Sequence, residues 1–167
     1  PVEMTTIILR PRMIWGPGDQ TIIKAVGAAV ASGQFAWING GQVKTSTCHI
    51  DNLMHAIALA MKQGQGGEAY FITDDEVWLL RDFLSRYLAT AGISMPDKNI
   101  PAWVVKSLAA ALDKIWRLLR LKGTPAVTPF EAAILAEDCI LRIDKARQEL
   151  GYAPVVSVAK GLSDLAD

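Results

Sequence analysis

The stretch Leu9-Arg10-Pro11-Arg12-Met13-Ile14-Trp15-Gly16-Pro17-Gly18-Asp19 decides the fold of this chain. The stretch begins at the end of a β-branched run, residues 5–9. This run does not alternate between apolar and polar residues, as is typical of a buried strand. The strand ends at Pro11, and the glycines and proline of 16–19 predict a loop by their turn chemistry. The stretch therefore predicts a buried strand that leads into a glycine- and proline-rich loop.

Apolar periodicity and chain breakers predict the elements outward from this stretch. Strands are expected at 35–38, 43–50 and 68–73, and helices at 21–31, 53–61, 78–90, 102–121, 130–137 and 144–150. We expect Asp51 or Asn52 to cap the second helix, and Asp74 or Asp75 to cap the third. Strands and helices alternate up to residue 90 and helices dominate afterwards. The predicted class is α/β, with a few short strands and a predominantly helical second half.

Composition narrows the function classes. The chain has 167 residues, which suits about one domain. Its 17 basic and 17 acidic residues balance, which argues against a nucleic-acid partner, and its 51% apolar share argues against disorder. Cys48 and Cys139 form no CxxC pair, so neither a zinc knuckle nor a disulfide scaffold is expected. Two cysteines in such a chain suit a reducing compartment, and we expect a cytoplasmic protein.

Motifs for a self-contained active site are missing from the sequence. His49 and His55 are six residues apart, with no ligand at metal spacing other than Asp51, so no metal site is expected. No GxGxxG and no Walker sequence follows a predicted strand. From these patterns alone we assign no catalytic residue. Asp51 is interpreted as a helix cap, with His49 half-buried in the extended segment before it.

Four segments resemble one known family. Residues 9–19 resemble the LRPxxIYGPGD segment of extended short-chain dehydrogenases/reductases. Residues 48–52, followed by an alanine-rich helix, resemble the family's VHVDNVAxA segment. Residues 67–76 and 144–154 resemble the GxAYFITDxEP and DxxKARxELGYxP segments of its 3β-hydroxysteroid dehydrogenase/isomerase branch. All four occur in the family's order, which makes the resemblance strong.

The resemblance implies an extended Rossmann-type dehydrogenase of which residues 1–167 form the C-terminal, substrate-binding part. The family's N-terminal half carries the glycine-rich NAD(P) fingerprint and the catalytic Tyr-xxx-Lys, and neither occurs here. Tyr70, Tyr87 and Tyr152 are followed four residues later by Asp, Ala and Val rather than lysine. We therefore expect a single fragment whose partner is its own N-terminal half, and which has no turnover alone.

The family's site residues carry over to matching positions as expectations. Pro11, Met13 and Ile14 would approach the nicotinamide of NAD or NADP. Trp15, Gly16 and His49 would belong to the substrate pocket, with Trp15 standing where the family usually has tyrosine. From the residues themselves, we expect Arg10 to pair with a carboxylate or a helix end inside the fold, and Tyr70 and Phe71 to face the core.

The resemblance implies oxidation of a secondary alcohol, or reduction of a ketone, on an apolar substrate such as a 3β-hydroxysteroid or a long-chain 3-oxo acid. One alternative is half of a nucleotide-sugar epimerase or dehydratase. Another is a non-catalytic domain that binds a partner or a membrane through residues 102–121. That predicted helix carries a wide apolar face and a mostly basic stripe, which suits core packing, a lid over the pocket, or peripheral membrane contact.

Overall fold

The computed structural model of the chain describes residues 4–118 and 135–166. Its strands are β1 Ile8–Pro11, β2 Ile14–Trp15, β3 Trp37–Ile38, β4 Lys44–Thr45, β5 Cys48–His49, β6 Ala69–Ile72, β7 Trp78–Leu79 and β8 Asn99–Ile100. Its helices are α1 Ile22–Ala31, α2 Ile50–Gln63, α3 Leu80–Ala89, α4 Ala102–Leu118, α5 Asp144–Leu150 and α6 Val158–Ala166. The α/β class, the short strands and the helical second half are as predicted.

The strands pair in twos. β1 lies parallel to β6, with Leu9 opposite Tyr70, and β2 lies parallel to β5. β3 and β8 are also parallel, whereas β4 and β7 are antiparallel. At their carboxyl ends the strands β1, β2, β5 and β6 are followed by residues 12, 16, 50 and 73 respectively. In sheets of this kind, ligands bind at the carboxyl ends of the strands.

Apolar side chains gather in two clusters. The first surrounds α3 and α6 and contains the fully buried Phe83, Tyr87 and Val158. The second lies where α2 and α5 cover one face of β6, and it contains Tyr70 and Leu150. Burial of large apolar side chains in both clusters supplies the main stabilisation of the two regions. The loop after β1 lies between them.

The carboxylate of Asp74 is buried between the clusters, and no ion pair within 4–118 and 135–166 involves it. Its Oδ1 accepts from the backbone N–H of His49 at 2.6 Å and from Nδ2 of Asn52 at 2.7 Å. Its Oδ2 accepts from Nε1 of Trp15 at 2.9 Å and from the hydroxyl of Thr47 at 2.7 Å. Four donors thus fill the acceptor sites of an ionised carboxylate. They join β2, β5 and α2 to the end of β6.

Asn52 extends this network to the C-terminal part of the fold. Its Oδ1 accepts from the backbone N–H groups of Val155 and Val156, and its Nδ2 also donates to the carbonyl of Val156. The side chain is fully buried, so each of these bonds replaces one lost to water. A single amide therefore fixes the segment that leads into α6.

The helix caps differ from the prediction. α2 begins at Ile50, and its N-cap is His49, whose side chain accepts the N–H of Asp51. α3 begins at Leu80 after Leu79, while Asp74 is in the core network described above. Local sequence cannot separate a capping carboxylate from a buried one, because the burial of Asp74 depends on donors from distant segments.

The prediction of a strand buried on both faces is wrong for β1. Ile8 is 45% exposed, because α2 and α5 cover only the opposite face of the β1–β6 pair. Phe71 is 40% exposed on β6, so only Tyr70 of the two aromatics faces the core. Arg10 is exposed, with its guanidinium 6.0 Å from the centre of the Phe71 ring, rather than paired inside the fold.

Two predicted helices reach beyond the described residues. The helix expected at 102–121 is described to Leu118, and most of the helix expected at 130–137 lies outside the described residues. Within the described part of the chain, no helix is long and apolar enough to cross a membrane.

The Asp74 network predicts a sharp difference between two neighbouring substitutions. Asp74→Asn places an amide NH₂ against two existing donors, so we expect it to lower the free energy of unfolding by about 3 kcal/mol. Asp75→Asn alters only an exposed residue that pairs with Arg147, and should cost at most about 1 kcal/mol. Urea denaturation followed by tryptophan fluorescence measures both. Equal losses would show that the buried network does not carry the stability assigned to it.

Candidate functional site

A cleft of about 600 Å³ opens at the carboxyl ends of β1 and β2. Most of its lining comes from the predicted loop and the start of α1. The lining residues are Pro11, Met13, Ile14, Trp15, Gly16, Pro17, Gly18, Asp19, Thr21, Ile22 and Ile50. The wall is mainly apolar, and Asp19 is its one ionisable side chain among the described residues. The cleft can therefore hold an uncharged, largely apolar group.

The structure brings together five of the six residues selected from the sequence. Pro11, Met13, Ile14, Trp15 and Gly16 all line the cleft. His49 lies behind Gly16, is 3% exposed and is not among the lining residues. Its Nδ1 accepts the N–H of Asp51 at 3.3 Å. Its assignment to the substrate pocket stays a prediction.

Trp15 forms the back of the cleft and is itself part of the core. Its side chain is 1% exposed, and Nε1 donates to Asp74. The indole meets the rings of His49, Phe83 and Tyr87 edge to face, with centroid distances of 4.8, 5.3 and 5.5 Å. Edge-to-face packing adds to the stabilisation from burial. The position of this wall is consequently set by the core.

Two glycines allow Trp15 and His49 to pack this closely. A Cβ on Gly161 of α6 would lie 2.7 Å from Cη2 of Trp15 and 3.0 Å from Cδ2 of His49. A Cβ on Gly16 would lie 2.9 Å from Cγ2 of Ile50, and Gly16 has a φ of +135°, which disfavours other residues. The importance of Gly161 was missed from the sequence, although a glycine inside a helical pattern was an available signal.

Tyr87 of α3 holds the outer part of the loop. Its hydroxyl donates to Oδ2 of Asp19 at 2.9 Å and lies 3.4 Å from the backbone N of Gly16. Oδ1 of Asp19 accepts the N–H groups of Thr21 and Ile22 at the start of α1. Burial, together with the nearby carboxylate of Asp19, raises the pKa of Tyr87 to about 12. Sequence analysis also missed this residue, because a tyrosine in an amphipathic helix looks like any other core aromatic.

A metal site is not formed by the residues that the structure describes. Nowhere in 4–118 or 135–166 do three or more His, Cys, Asp or Glu side chains form a group able to hold a metal ion. Cys48 is buried, and burial followed by the negative charge of Asp74 raises the pKa of its thiol to about 12. The thiol is thus held in its protonated, unreactive form at neutral pH.

Comparison with known proteins identifies relatives of this chain. Residues 1–101 match the model of the 3-beta hydroxysteroid dehydrogenase/isomerase family. The chain is 37% identical over 161 residues to a 4-hydroxy-2-methyl-3-oxo-4-farnesyl-3,4-dihydroquinoline-1-oxide ketoreductase of Stigmatella aurantiaca, covering 96% of this chain and 48% of the relative. It is 35% identical over 168 residues to a 2-alkyl-3-oxoalkanoate reductase of Stenotrophomonas maltophilia, covering 98% and 51%.

A more distant relative and a solved structure extend the comparison. The chain is 29% identical over 165 residues to a decarboxylating sterol-4-alpha-carboxylate 3-dehydrogenase of Dictyostelium discoideum, covering 98% of this chain and 50% of that protein. The dTDP-glucose 4,6-dehydratase DesIV of Streptomyces venezuelae, solved with NAD and TYD bound, has a TM-score of 0.58 and 21% identity, over 96% of this chain and 42% of that one. That likeness shows the fold. The chain spans about half the length of the curated relatives it matches.

The raised pKa values of Cys48 and Tyr87 predict a loss of stability in alkali. Both groups keep their protons to higher pH in the folded chain than in the unfolded chain, where the ordinary values are 9.0 and 10.0. Stability is therefore complete below about pH 9 and falls as the pH rises toward 12, by on the order of 1 kcal/mol per group and pH unit. Urea denaturation between about pH 8 and pH 11 measures this slope.

The double variant Cys48→Ala/Tyr87→Phe isolates the two groups. Its stability at neutral pH should be lower than that of the wild type, but its dependence on pH should be flatter. Some decrease of stability with pH should remain in the double variant, because burial also raises the pKa of Tyr152. A slope in the double variant as steep as in the wild type would assign the alkaline transition to other groups.

Proposed function

Because the chain belongs to the 3-beta hydroxysteroid dehydrogenase/isomerase family, we propose that it forms the substrate-binding half of an NAD(P)-dependent oxidoreductase. The reaction would interconvert a secondary alcohol and a ketone on an apolar substrate. The observation that carries this proposal is the cleft at the carboxyl ends of β1 and β2, whose wall is built from the residues that match the family's pocket segment. Relatives with reductase and dehydrogenase activities support the reaction class.

The cleft fits part of a nicotinamide dinucleotide. Pro11, Met13 and Ile14 offer an apolar wall against which the face of a nicotinamide ring could lie. The cofactor would supply or accept the hydride, and these residues would hold the ring beside the substrate. The sequence contains no glycine-rich fingerprint for the diphosphate, so the rest of the dinucleotide would be bound by another part of the protein.

One face of the β1–β6 pair is not covered by α2 and α5. This face is a suitable contact surface for the part of the protein that would bind the rest of the dinucleotide. Among the described strands β1 pairs with β6 alone, which leaves its second edge open, and Ile8 and Phe71 are exposed on the uncovered face. A separate apolar groove of about 540 Å³ lies along β1 and α2 and is lined in part by Leu9, Ile57 and Met61. Open strand edges and apolar surfaces of this kind are interaction sites. We propose that a dinucleotide-binding half packs here and adds a strand to β1.

Relatives narrow the proposed substrate. One acts on a 2-alkyl-3-oxoalkanoate and another on a sterol 4α-carboxylate at carbon 3. In both names a carboxylate is attached to the carbon next to the one that is reduced or oxidised. The apolar lining of the cleft suits the alkyl or ring portion of such a molecule. We therefore propose, as the substrate, a 3β-hydroxysteroid or a long-chain 3-oxo acid whose apolar portion lies in the cleft.

A nucleotide sugar fits the cleft less well, although the chain shares its fold with a dTDP-glucose dehydratase. A diphosphate needs cationic side chains or free N–H groups at a helix start. Among the residues that the structure describes, no lysine or arginine lines the cleft, and the N–H groups of Thr21 and Ile22 at the start of α1 already donate to Asp19. The carboxylate of Asp19 would in addition repel a phosphate placed there.

The proposed division between two halves predicts the behaviour of the isolated chain. Alone, it should neither bind NAD(P)H tightly nor oxidise it in the presence of a ketone. Fused behind the N-terminal half of the Stenotrophomonas relative, it should bind the cofactor, as measured by nicotinamide fluorescence. Phe71→Asp in the fusion should weaken binding, because it charges the proposed contact face, whereas Val77→Asp, at an exposed residue beyond β6, should not. Turnover by the isolated chain would contradict the proposal.

Peripheral membrane contact through α4 is a second proposal. Trp103 is 72% exposed and Leu108 is 54% exposed, and of the described side chains of α4 only Ala109 is buried. Lys106 and Lys114 are exposed on the same helix. Exposed tryptophan and leucine with neighbouring lysines are typical of helices that lie on anionic lipid surfaces. An apolar substrate would be delivered from such a surface.

Vesicle co-sedimentation tests the contact of α4 with lipid. The chain should sediment with vesicles that contain phosphatidylglycerol, and Trp103→Glu should release most of it, because a carboxylate replaces the largest exposed apolar side chain of α4. Val77→Glu is the matched control, since it places the same charge at an exposed apolar residue outside α4. Unchanged sedimentation of the Trp103 variant would exclude α4 as the contact.

A further inference from the structure

A carboxylate stands in the otherwise apolar lining of the cleft. Asp19 is half-buried and is the one ionisable lining residue in the part of the chain that the structure describes. Covering a carboxylate oxygen with an apolar group is unfavourable unless a donor already occupies that oxygen. The hydrogen bonds of Asp19 therefore decide whether an apolar ligand can lie against this part of the lining.

The two oxygens of Asp19 are occupied by donors from different parts of the fold. Oδ1 accepts the N–H of Thr21 at 2.7 Å and that of Ile22 at 3.3 Å, both at the start of α1. Oδ2 accepts from the hydroxyl of Tyr87 at 2.9 Å. Within 4–118 and 135–166, that hydroxyl is the one donor to Oδ2. Its removal would leave this oxygen to water or to the ligand.

Tyr87 reaches Asp19 from behind the lining. Its side chain is fully buried in α3 and is not among the residues that line the cleft. The hydroxyl also lies 3.4 Å from the backbone N and from the carbonyl of Gly16, at the other end of the loop. Burial, together with the carboxylate of Asp19, raises the pKa of Tyr87 to about 12. The hydroxyl consequently keeps the proton that it donates at neutral pH.

We propose that Tyr87 is a positioning residue for specificity, whose hydroxyl occupies Oδ2 of Asp19 and so lets the cleft accept an apolar ligand. The inference rests on the proposed function, which assigns such a ligand to the cleft. Tyr87 acts through Asp19 and Gly16, which both line the cleft, rather than by touching the ligand. The selected class is an uncharged apolar group, because the cleft then presents no unsatisfied charge to it.

The test removes one hydroxyl from each of two buried tyrosines. Tyr87→Phe keeps the ring in the core and frees Oδ2 of Asp19. Tyr70→Phe is the matched control, because Tyr70 is also fully buried, its hydroxyl donates to Glu149 at 2.9 Å, and neither of the two lines the cleft. Binding of decan-2-one to the full chain is followed by tryptophan fluorescence. Tyr87→Phe should weaken it about tenfold, and Tyr70→Phe by less than about twofold.

Two further measurements separate this role from a general loss of structure. Decylamine carries an ammonium group that can pair with the freed oxygen, so Tyr87→Phe should bind it at least as tightly as the wild type does. The double variant Tyr87→Phe/Asp19→Asn should recover most of the affinity for decan-2-one. Its amide oxygen can still accept from the start of α1, while the group left without a donor is no longer charged.

The outcomes distinguish this inference from the proposed function. Unchanged affinity of Tyr87→Phe for decan-2-one would overturn the inference alone. Equal weakening for the ketone and the amine, without recovery in the double variant, would overturn it as well, since it would show that Tyr87 only stabilises the loop. Binding that depends on Tyr87 as expected, in a fusion that reduces no ketone with NADH or NADPH, would contradict the proposed function alone. A wild type that does not bind the ketone would overturn both.

Discussion

The position of the cleft depends on one buried carboxylate. Asp74 forms no ion pair in the part of the chain that the structure describes, and removing a carboxylate from water costs several kcal/mol unless hydrogen bonds replace the lost hydration. The four donors that replace it come from Trp15, Thr47, His49 and Asn52, so two separate stretches of chain must converge on the residues that follow β6. A shift of any of them would leave the charge short of a donor. The segments 9–19, 48–52 and 67–76 therefore form one physical unit, although they are far apart in sequence.

The same network couples the two apolar clusters to the cleft. Trp15 belongs to the first cluster and its indole N–H reaches Asp74, while the hydroxyl of Tyr152 in the second cluster donates to the carbonyl of Thr73 at 2.9 Å. The back wall of the cleft is thus fixed from both sides. Gly161 completes the arrangement, because it lets α6 approach the indole and the His49 ring more closely than any residue with a Cβ could. A ligand bound against such a wall would require no rearrangement of the loop.

The sequence predicted several helices well, but it missed α6, the short strands β2, β7 and β8, and the buried polar groups. Breakers and periodicity placed α1, α3 and α5 close to their observed bounds, because glycine, proline and helical spacing act locally. The sequence leaves Asp74 or Asp75 as one expected cap and Asp51 or Asn52 as another, because short polar residues before a helix usually act there. Their burial depends on partners 22 to 104 positions away, as in the bond of Asn52 to Asp74 and that to Val156. No local pattern encodes such partners.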